Sequence, residues 1–476
     1  MNKKMLINGK FVDASDGGVR ESTNPLNGQV LGTYPSATKA DVEAALDAAQ
    51  EGKKVWAAMS VNQRNAILLK AAALFEQHAD ELAELQCQEM AKPIMMCKGE
   101  VAEVAPLFRS CVAGITHNHG EVFPNNDAAG ALGDLAVTVT EPLGVVACIG
   151  PFNFPISTLT FKTAPALTMG NAIIIKAPSD VSLTVLRYAE ILNEAGFPDG
   201  VVQAVSGSGA TVGEWLIDTP KVNAVGLTGS TAVGSHLMEV SGKYFHRVLL
   251  ELGGNDAVII TEDADLEKAV GESMCRHVNN GQVCCTTKRF LVHNSIKDKY
   301  IEMLAGAVSS LKLGDPMDPA NNMGPLVSES AAKGVEEQIN HTIAQGAKLV
   351  CGGKRDGAFI TPTVLDCTKD MDVAKDLEIF GPVWSVIGFD TEDEAVEIAN
   401  QSIYGLNGGV IAGSLERGIA LAKRMEAGTV VCNGASLWRR DTAPFGGYKS
   451  SGIGREGVLD LLKEYSQRKT LVINGL

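Results

Sequence analysis

Residues 145–176 read VVACIGPFNFPISTLTFKTAPALTMGNAIIIK. Two short apolar runs, 145–150 and 172–176, are separated in this stretch by a segment with a helical pattern. Strands and helices that alternate at this spacing predict a parallel sheet with crossover helices, in which ligands bind at the carboxyl ends of the strands. Further apolar runs of the same series lie at residues 201–205, 224–227 and 257–261. The sequence therefore predicts an α/β fold.

A second alternating series begins near residue 269. Its apolar runs lie at residues 290–292, 347–350, 384–389 and 429–431. Before the first series, the N-terminal third is largely helical in pattern. Residues 38–41 resemble a capping box in front of apolar residues at helical spacing. Two α/β domains are the simplest partition of the chain.

One segment departs from this plan. Residues 121–133 are rich in Asn, Asp and Gly, and residues 135–140 then alternate like an exposed strand. We interpret this segment as an excursion from the main domain. The last apolar run, residues 470–474, is expected to form a strand that joins the excursion in an oligomer.

Composition and charge exclude several classes of protein. The chain has 476 residues, with 41 Lys and Arg against 56 Asp and Glu, and its net charge of −15 argues against a nucleic-acid surface or an anionic-membrane anchor. The longest uncharged stretch, residues 142–161, contains three prolines and an asparagine, which favour a strand running into a loop over a membrane helix. No secretory signal follows Met1, so we expect a cytoplasmic protein.

The ten cysteines are scattered and form no CxxC pair, and neither they nor the dispersed histidines have a spacing suited to zinc. We therefore expect no metal site and mostly reduced core cysteines. The adjacent pair Cys284 and Cys285 is the exception, because neighbouring side chains point in different directions and one of them can be placed for reaction.

Six local strings stand at junctions between predicted elements and occur in one family's order and spacing. They are PFNFP at 151–155, GSTAVG at 229–234, LELGGN at 250–255, NGQVC at 280–284, EIFGPV at 378–383 and PFGG at 444–447. Together they resemble the NAD(P)-dependent aldehyde dehydrogenase superfamily, over nearly the whole chain, and in particular its lactaldehyde, semialdehyde and non-phosphorylating glyceraldehyde-3-phosphate dehydrogenase branch.

The resemblance implies a domain plan. A Rossmann-type NAD(P)-binding domain would comprise residues 1–118 and 140–252, and an α/β catalytic domain residues 253–455. Residues 119–139 and 456–476 would form a small β oligomerisation segment. As in the family, a homodimer or homotetramer is expected, with a small-molecule aldehyde as the substrate and NADP, NAD or both as the cofactor.

Three residues are expected to perform the reaction. Cys284 is a nucleophile candidate because a thiolate attacks an aldehyde carbon readily and the thiohemiacetal can release hydride. The resemblance implies that Glu251 is the general base that activates water to hydrolyse the thioester, a task suited to a carboxylate whose pKa is raised by an apolar site. Asn153 matches the family's oxyanion-hole asparagine, with the backbone N–H of Cys284 as the second donor. Cys285 is expected to be structural.

Other matches concern the cofactor. The small residues from Gly229 to Gly234, with Ser230, stand at a helix start, where N–H groups and the helix dipole can bind a pyrophosphate. Glu378 resembles the family's glutamate that binds the nicotinamide ribose, and Phe380 and Phe152 are assigned to the same region.

A departure from the family's pattern bears on the choice of cofactor. Lys176 matches the lysine of Lys-x-x-Glu, but Ser179 stands where the family has the glutamate. Loss of that carboxylate removes repulsion against a 2′-phosphate, so NADP should be accepted. Asp180, one residue further along, is the alternative, since it could restore selection for NAD.

The substrate side is assigned to two arginines. Arg109 and Arg439 resemble arginines of the lactaldehyde, glyceraldehyde-3-phosphate and semialdehyde enzymes, where a guanidinium would bind a hydroxyl, carboxylate or phosphate distal to the aldehyde. Trp438 and Phe445 are placed beside Arg439. Val283 precedes the nucleophile where phosphate-binding relatives often have another arginine, so a small lactaldehyde- or succinic-semialdehyde-like aldehyde is preferred.

Three alternatives to this function stay open. One is a semialdehyde dehydrogenase that passes the acyl group to coenzyme A, against which Glu251 argues because such relatives lack this glutamate. The second is a non-phosphorylating glyceraldehyde-3-phosphate dehydrogenase. The third is a catalytically silent binding or structural member of the fold, against which the intact Cys284, Glu251 and Asn153 argue.

Overall fold

The two apolar runs of the first series form neighbouring parallel strands. Val145–Ile149 pairs with Ala172–Lys176 in the register Val145↔Ala172, and the buried helix Ser157–Thr168 crosses between them. The isoleucines of the second strand alternate between the two faces of the sheet, because side chains on a strand have a period of two. This computed structural model describes residues 1–123 and 134–474.

The remaining elements follow in chain order. The α-helices are α1 (Lys39–Ala58), α2 (Val61–Gln77), α3 (Ala79–Met90), α4 (Ile94–Ala102), α5 (Val104–Gly114), α6 (Ser157–Thr168), α7 (Ser182–Ala195), α8 (Glu214–Ile217), α9 (Thr231–Gly242), α10 (Leu266–Ser273), α11 (Asn294–Ser309), α12 (Glu329–Ala344), α13 (Glu392–Asn400), α14 (Leu415–Ala422) and α15 (Val458–Glu464). Thr38 caps α1 through the predicted capping box, in which its hydroxyl accepts from the N–H of Asp41 and the Asp41 carboxylate accepts from the N–H of Thr38.

The strands are β1 (Met5–Ile7), β2 (Lys10–Val12), β3 (Val19–Thr23), β4 (Val30–Pro35), β5 (Val122–Phe123), β6 (Asp134–Pro142), β7 (Val145–Ile149), β8 (Ala172–Lys176), β9 (Val202–Val205), β10 (Ala224–Thr228), β11 (Arg247–Glu251), β12 (Ala257–Ile260), β13 (Arg289–His293), β14 (Lys348–Cys351), β15 (Arg355–Asp356), β16 (Phe359–Ile360), β17 (Thr363–Cys367), β18 (Val383–Phe389), β19 (Tyr404–Gly405), β20 (Asn407–Ile411), β21 (Thr429–Cys432), β22 (Tyr448–Lys449), β23 (Gly452–Ile453) and β24 (Ser466–Asn474).

Two large sheets confirm the predicted α/β fold. The first has the order β2-β1-β9-β8-β7-β10-β11-β23, and its central strands from β9 to β11 are parallel. The second has the order β14-β17-β18-β13-β12-β20-β21, in which only the β14 pair is antiparallel. Apolar clusters cover both faces of each sheet, as a parallel sheet requires. The proposed domain boundaries stay a prediction.

A third, three-stranded sheet has the order β24-β6-β5. Its terminal strand pairs antiparallel with β6 over the full length, from Ser466↔Pro142 to Asn474↔Asp134. The expected pairing of the C-terminal strand with the excursion is therefore made within one chain and not between subunits. Most of the Asn/Asp/Gly-rich stretch, residues 124–133, lies outside the described residues.

Within the described ranges, no helix is both long and apolar enough to span a bilayer. Residues 142–161, which we rejected as a membrane helix, contain the end of β6, all of β7 and the start of α6.

Candidate active site

A strained turn positions Cys284. The chain passes through Asn279, Asn280 and Gly281 with φ values of 48°, 56° and 77°, all in the left-handed region. A Cβ on Gly281 would lie 2.2 Å from the carbonyl carbon and oxygen of Gly381, so only glycine fits there. The turn brings Cys284 to the surface of a cleft between the two large sheets, whereas Cys285 is buried and its carbonyl accepts from the Ser436 hydroxyl at 3.0 Å.

The surroundings of Cys284 favour its neutral thiol. The pKa of Cys284 lies above its ordinary value, because of its contact with the Cys285 thiol, then because of burial and the charge of Glu251. A neighbouring base is therefore needed to form the thiolate that attacks.

Asn153 lies in the loop between β7 and α6 and faces this turn. Its side-chain Nδ2 donates to the backbone carbonyl oxygen of Gln282 at 2.9 Å. The backbone carbonyl of Asn153 accepts from Asn279 Nδ2, also at 2.9 Å. An amide with one hydrogen engaged keeps its second hydrogen for an oxyanion. The two loops that supply Asn153 and Cys284 are thus tied together directly.

A buried ion pair supports the Asn153 loop, and sequence reasoning missed it. Lys92 Nζ lies 2.6 Å from Glu100 Oε2 and 3.3 Å from the Asn153 carbonyl oxygen, and both charged side chains are almost fully buried. Glu100 in turn accepts from the backbone N–H groups of Ile156 and Ser157 at 2.9 Å, at the start of α6. The loop is therefore held at both of its ends.

Glu251 ends strand β11 and is 2% exposed. Neither carboxyl oxygen has a hydrogen-bond partner among the residues that the structure describes. Burial, and next the charge of Glu456, raise the pKa of Glu251 to about 7. Such a carboxyl is poised to exchange a proton near neutral pH.

A second buried network lies behind Glu251, and it too was missed from the sequence. Glu456 Oε1 is 2.9 Å from Lys162 Nζ, and its Oε2 is 2.8 Å from Arg439 Nη2. Burial alone would raise the pKa of Glu456, but the charges of Lys162 and Arg439 outweigh it and hold that pKa below its ordinary value. The surroundings of Glu456 therefore favour its ionised form, whereas those of Glu251 favour its protonated form.

One cavity of about 220 Å³ brings together the three predicted catalytic residues. Cys284, Glu251 and Asn153 share its wall with four residues assigned to the cofactor. The complete lining is Pro151, Asn153, Thr228, Gly229, Ser230, Glu251, Leu252, Gly253, Cys284, Glu378 and Phe380.

Gly229, Ser230 and Gly234 form the start of α9. Ser230 is its N-cap, with its hydroxyl accepting from the N–H of Val233 at 3.4 Å. A Cβ on Gly234 would lie 2.6 Å from the Leu252 side chain, so the glycine lets α9 pack beside the strand that carries Glu251 without displacing that side chain. The N-terminus of a twelve-residue helix thus opens at the cavity, a position suited to an anion.

Glu378 is bound from two sides. Lys288 Nζ lies 3.3 Å from its Oε1 and also donates to the Cys284 carbonyl at 2.6 Å. The N–H of Gly254 donates to the same carboxylate at 3.3 Å. Phe380 meets Phe152 edge-on, with 6.1 Å between ring centroids, and a second cavity of about 520 Å³ begins at these rings. Lys288 was not predicted, because nothing local marks it.

Lys176 lies in a separate cavity of about 430 Å³, which the turn Gly209–Gly213 and the start of α9 also line. Burial lowers the pKa of Lys176 to about 8, against the opposing charge of Asp180. Ser179 donates its hydroxyl to the Gly207 carbonyl at 3.2 Å. The lysine and the serine therefore both stand at the carboxyl ends of β8 and β9.

The residues assigned to the substrate do not all lie together in the structure. Arg439 stacks on Phe161 at 3.7 Å and on Phe445 at 4.4 Å, and Trp438 lies beside it in sequence, half-buried. Phe445 packs in one apolar cluster with Val283, Cys285 and Cys284.

Arg109 does not join them, and its assignment to the substrate is corrected. It lies on an exposed face of α5, where both of its terminal nitrogens pair with Glu76 at 2.6 Å. The helix turns its apolar face, with Phe108 and Cys111, to the core and turns Arg109 to solvent.

The cavities fit a dinucleotide. Its pyrophosphate would meet the N–H groups at the start of α9, its adenosine the Lys176 cavity, and its nicotinamide ribose Glu378. A Cβ on Gly253 would lie 2.5 Å from Glu378 Oε2, so the glycine leaves space for this carboxylate at the cavity. Among the described residues, no group of three or more His, Cys, Asp or Glu could hold a metal ion.

The chain is similar to known proteins over nearly its whole length. The sequence model described as the aldehyde dehydrogenase family matches residues 11–471. An NADP-dependent enzyme of E. coli is 35% identical with a TM-score of 0.95, over 99% of this chain and 98% of that one. An aldehyde dehydrogenase of Brucella melitensis biovar abortus is 36% identical with a TM-score of 0.94, over 99% and 97%. Betaine aldehyde dehydrogenase of Staphylococcus aureus, in complex with NAD+, is 33% identical with a TM-score of 0.95, over 99% and 95%.

Proposed function

Because the chain belongs to the aldehyde dehydrogenase family, and is therefore an enzyme that oxidises aldehydes with NAD(P)+, we propose that its substrate is a small polar aldehyde. The product is the carboxylate, formed through a thiohemiacetal and a thioester on Cys284. Lactaldehyde and succinic semialdehyde represent the substrate class. The observation that supports this proposal most is the single cavity shared by Cys284, Asn153 and Glu251.

In the first step Cys284 attacks the aldehyde carbon. The thiol proton passes to a water molecule and on to solvent, a bond forms between Sγ and the carbonyl carbon, and the carbonyl π electrons move to the oxygen. The free hydrogen of Asn153 Nδ2 and the N–H of Cys284 stabilise that oxyanion. The Lys92–Glu100 pair keeps Asn153 in place during this step. When bound, NAD(P)+ accepts the hydride that leaves the thiohemiacetal carbon.

The second half of the reaction is hydrolysis of the thioester. Glu251 takes a proton from water, the hydroxide oxygen bonds to the acyl carbon, and the bond from that carbon to Sγ breaks. The carboxylate is released and the sulfur regains a proton. A pKa of about 7 lets Glu251 accept and return protons at neutral pH, and its unpartnered oxygens leave room for the water.

Arg439 supports the choice of a polar substrate. Glu456 binds only Nη2 of this guanidinium, and Nε has no partner among the described residues although it is buried. The rings of Phe161 and Phe445 hold the guanidinium in position. A hydroxyl or carboxylate on the substrate would be a partner for the remaining donors.

The test is a panel of small aldehydes with reduced cofactor followed by absorbance. Hydroxy- and carboxy-aldehydes should be preferred over propanal and butanal by tenfold or more in kcat/KM, and the carboxylate should be the product. Arg439→Gln should reduce this preference, while Arg109→Gln is the matched control and should leave it unchanged. Faster turnover with added coenzyme A would contradict the hydrolytic role of Glu251. Equal turnover of all aldehydes would contradict the substrate class.

The exposed apolar strand β24 supports the proposal of a homodimer or homotetramer. Leu471, Val472 and Ile473 are 44%, 57% and 46% exposed, and an uncovered strand of this kind invites a partner. The proposed division is an NAD(P)-binding domain of residues 1–118 and 140–252, a catalytic domain of residues 253–455, and oligomerisation segments 119–139 and 456–476.

A further inference from the structure

One basic residue close to the Lys176 cavity is part of neither the family resemblance nor the catalytic assignments. Arg20 lies on β3, directly opposite Tyr34 on β4, so the two side chains stand on the same face of the hairpin. Tyr34 is buried and donates its hydroxyl to the Ser179 carbonyl at 2.9 Å. The hairpin that carries Arg20 is therefore bonded, through Tyr34, to the backbone of the serine that replaces the family's glutamate.

Arg20 faces a cavity of about 450 Å³ that is distinct from the Lys176 cavity. The short turn after β9 separates the two. Gly209, Ala210 and Gly213 line the Lys176 side, and Ser208, Thr211 and Val212 line the Arg20 side. A Cβ on Gly209 would lie 3.9 Å from Lys176 Nζ, so the lysine reaches the start of this turn.

Arg20 and Lys176 lie close enough for their charges to interact. The positive charge of Arg20 contributes to the lowered pKa of Lys176, after burial and the opposing effect of Asp180, so the two cations lie within electrostatic range. Among the described residues, no carboxylate forms an ion pair with Arg20. Asp16 lines the Arg20 cavity too, but its carboxylate accepts from the N–H of Gly18 at 2.8 Å.

We propose that Arg20 is a specificity-determining residue that binds the 2′-phosphate of NADP+ opposite Lys176. Arg20 and Lys176, on the two sides of the turn after β9, are two cations that suit a dianionic phosphate better than a neutral hydroxyl. The hydroxyls of Ser36 and Ser208, which line the same cavity, are additional donors. This inference rests on the proposed function, of which it names the cofactor specificity.

The test measures binding of fragments that lack nicotinamide. Wild-type enzyme is titrated with 2′,5′-ADP and with 5′-AMP by calorimetry, and compared with Arg20→Gln. We expect wild type to bind 2′,5′-ADP more tightly than 5′-AMP, and Arg20→Gln to lose about tenfold in affinity for 2′,5′-ADP alone. Arg20→Lys should retain part of the preference, because it keeps the charge without the planar fork.

Lys10→Gln is the charge-matched control, since Lys10 is exposed on β2 and lines neither cavity. It should bind both fragments like wild type. Equal affinity of Arg20→Gln and wild type for 2′,5′-ADP would overturn the inference, and so would an equal loss of 5′-AMP binding. If Arg20 proves irrelevant while aldehydes are still oxidised with NAD+, only the inference fails. If no aldehyde is oxidised with either cofactor, the proposed function itself fails.

Discussion

Cys284 and Cys285 are neighbours in sequence but differ in their surroundings. Cys284 lines the active-site cavity, whereas Cys285 is buried against Phe445 and Leu406. We expect Cys284→Ala to abolish aldehyde oxidation and Cys285→Ala to retain most of it, as measured by steady-state formation of reduced cofactor. Comparable losses in the two variants would mean that the wrong thiol has been assigned.

Glu251→Gln should separate the two halves of the reaction. A burst of reduced cofactor should remain, but thioester hydrolysis should stall, because the amide cannot take a proton from water. In wild type the hydrolytic rate should rise with pH through about 7, as the Glu251 carboxylate forms. Rapid-mixing kinetics between pH 5.5 and 8.5 measure both effects. A steady state that is unchanged in Glu251→Gln would exclude the role.

The raised pKa of Glu251 also predicts that stability depends on pH, in the direction opposite to that of the hydrolytic rate. Because the folded-state pKa of Glu251 is raised above its unfolded value, the folded state binds more protons between pH about 4.5 and 7, and stability falls as pH rises through this window. Glu251→Gln removes that loss, so relative to wild type it should gain up to ~3 kcal/mol in the free energy of unfolding above pH 7. Urea denaturation of both proteins at pH 5 and pH 8 tests this difference.

Ser179 is the residue at which cofactor choice can be reversed. Ser179→Glu should reduce kcat/KM for NADP+ by tenfold or more and leave that for NAD+ nearly unchanged, because a carboxylate beside Lys176 repels the 2′-phosphate and accepts from ribose hydroxyls. Asp180→Ser is the control. If it alone admits NADP+, and wild type already rejects NADP+, then Asp180 faces the ribose and our placement of Ser179 is wrong.

Short sequence motifs could predict the site residues that are positioned by their neighbours in the chain. Cys284, Glu251 and Asn153 each follow a recognisable turn or strand end, so their convergence at one edge of the sheets could be anticipated. Arg109 was misplaced because a helix presents several faces, and the partner that holds it outward, Glu76, is remote in sequence. The Lys162–Glu456 pair joins residues 294 positions apart, which no local pattern reveals.

At the level of secondary-structure elements, the turn in front of Cys284 depends on one glycine. Gly281→Ala should remove most activity and destabilise the protein by roughly 1–3 kcal/mol, because the residue has a φ of 77° and its new methyl group would meet the Gly381 carbonyl. Gly271→Ala is the matched control. It lies in α10 with nothing within 4 Å of its Cβ position, and it should be neutral or stabilising by up to ~1 kcal/mol. Thermal unfolding and turnover of both variants test the expectation.

At the scale of the whole molecule, the exposed β24 strand should be covered in solution. Light scattering should give a mass of two or four times 50.1 kDa. Val472→Lys places a charge on the exposed strand and should lower the assembly state, since charged edge residues oppose pairing. Leu415→Lys, at an exposed apolar position on α14, is the control and should not change the mass. A stable wild-type species of 50.1 kDa would contradict this prediction.

The last helix has a consequence for how the chain reaches its native state. Val458, Leu461, Leu462 and Tyr465 pack into the same apolar cluster as Leu68 and Phe108, and β23 adds to the edge of the first sheet. During synthesis, this cluster therefore stays open until residues 452–465 have left the ribosome. The N-terminal half must wait until then with uncovered apolar surface, which is the situation in which chaperones act. The slow closure by these residues, which are distant in sequence, should be a late step of folding.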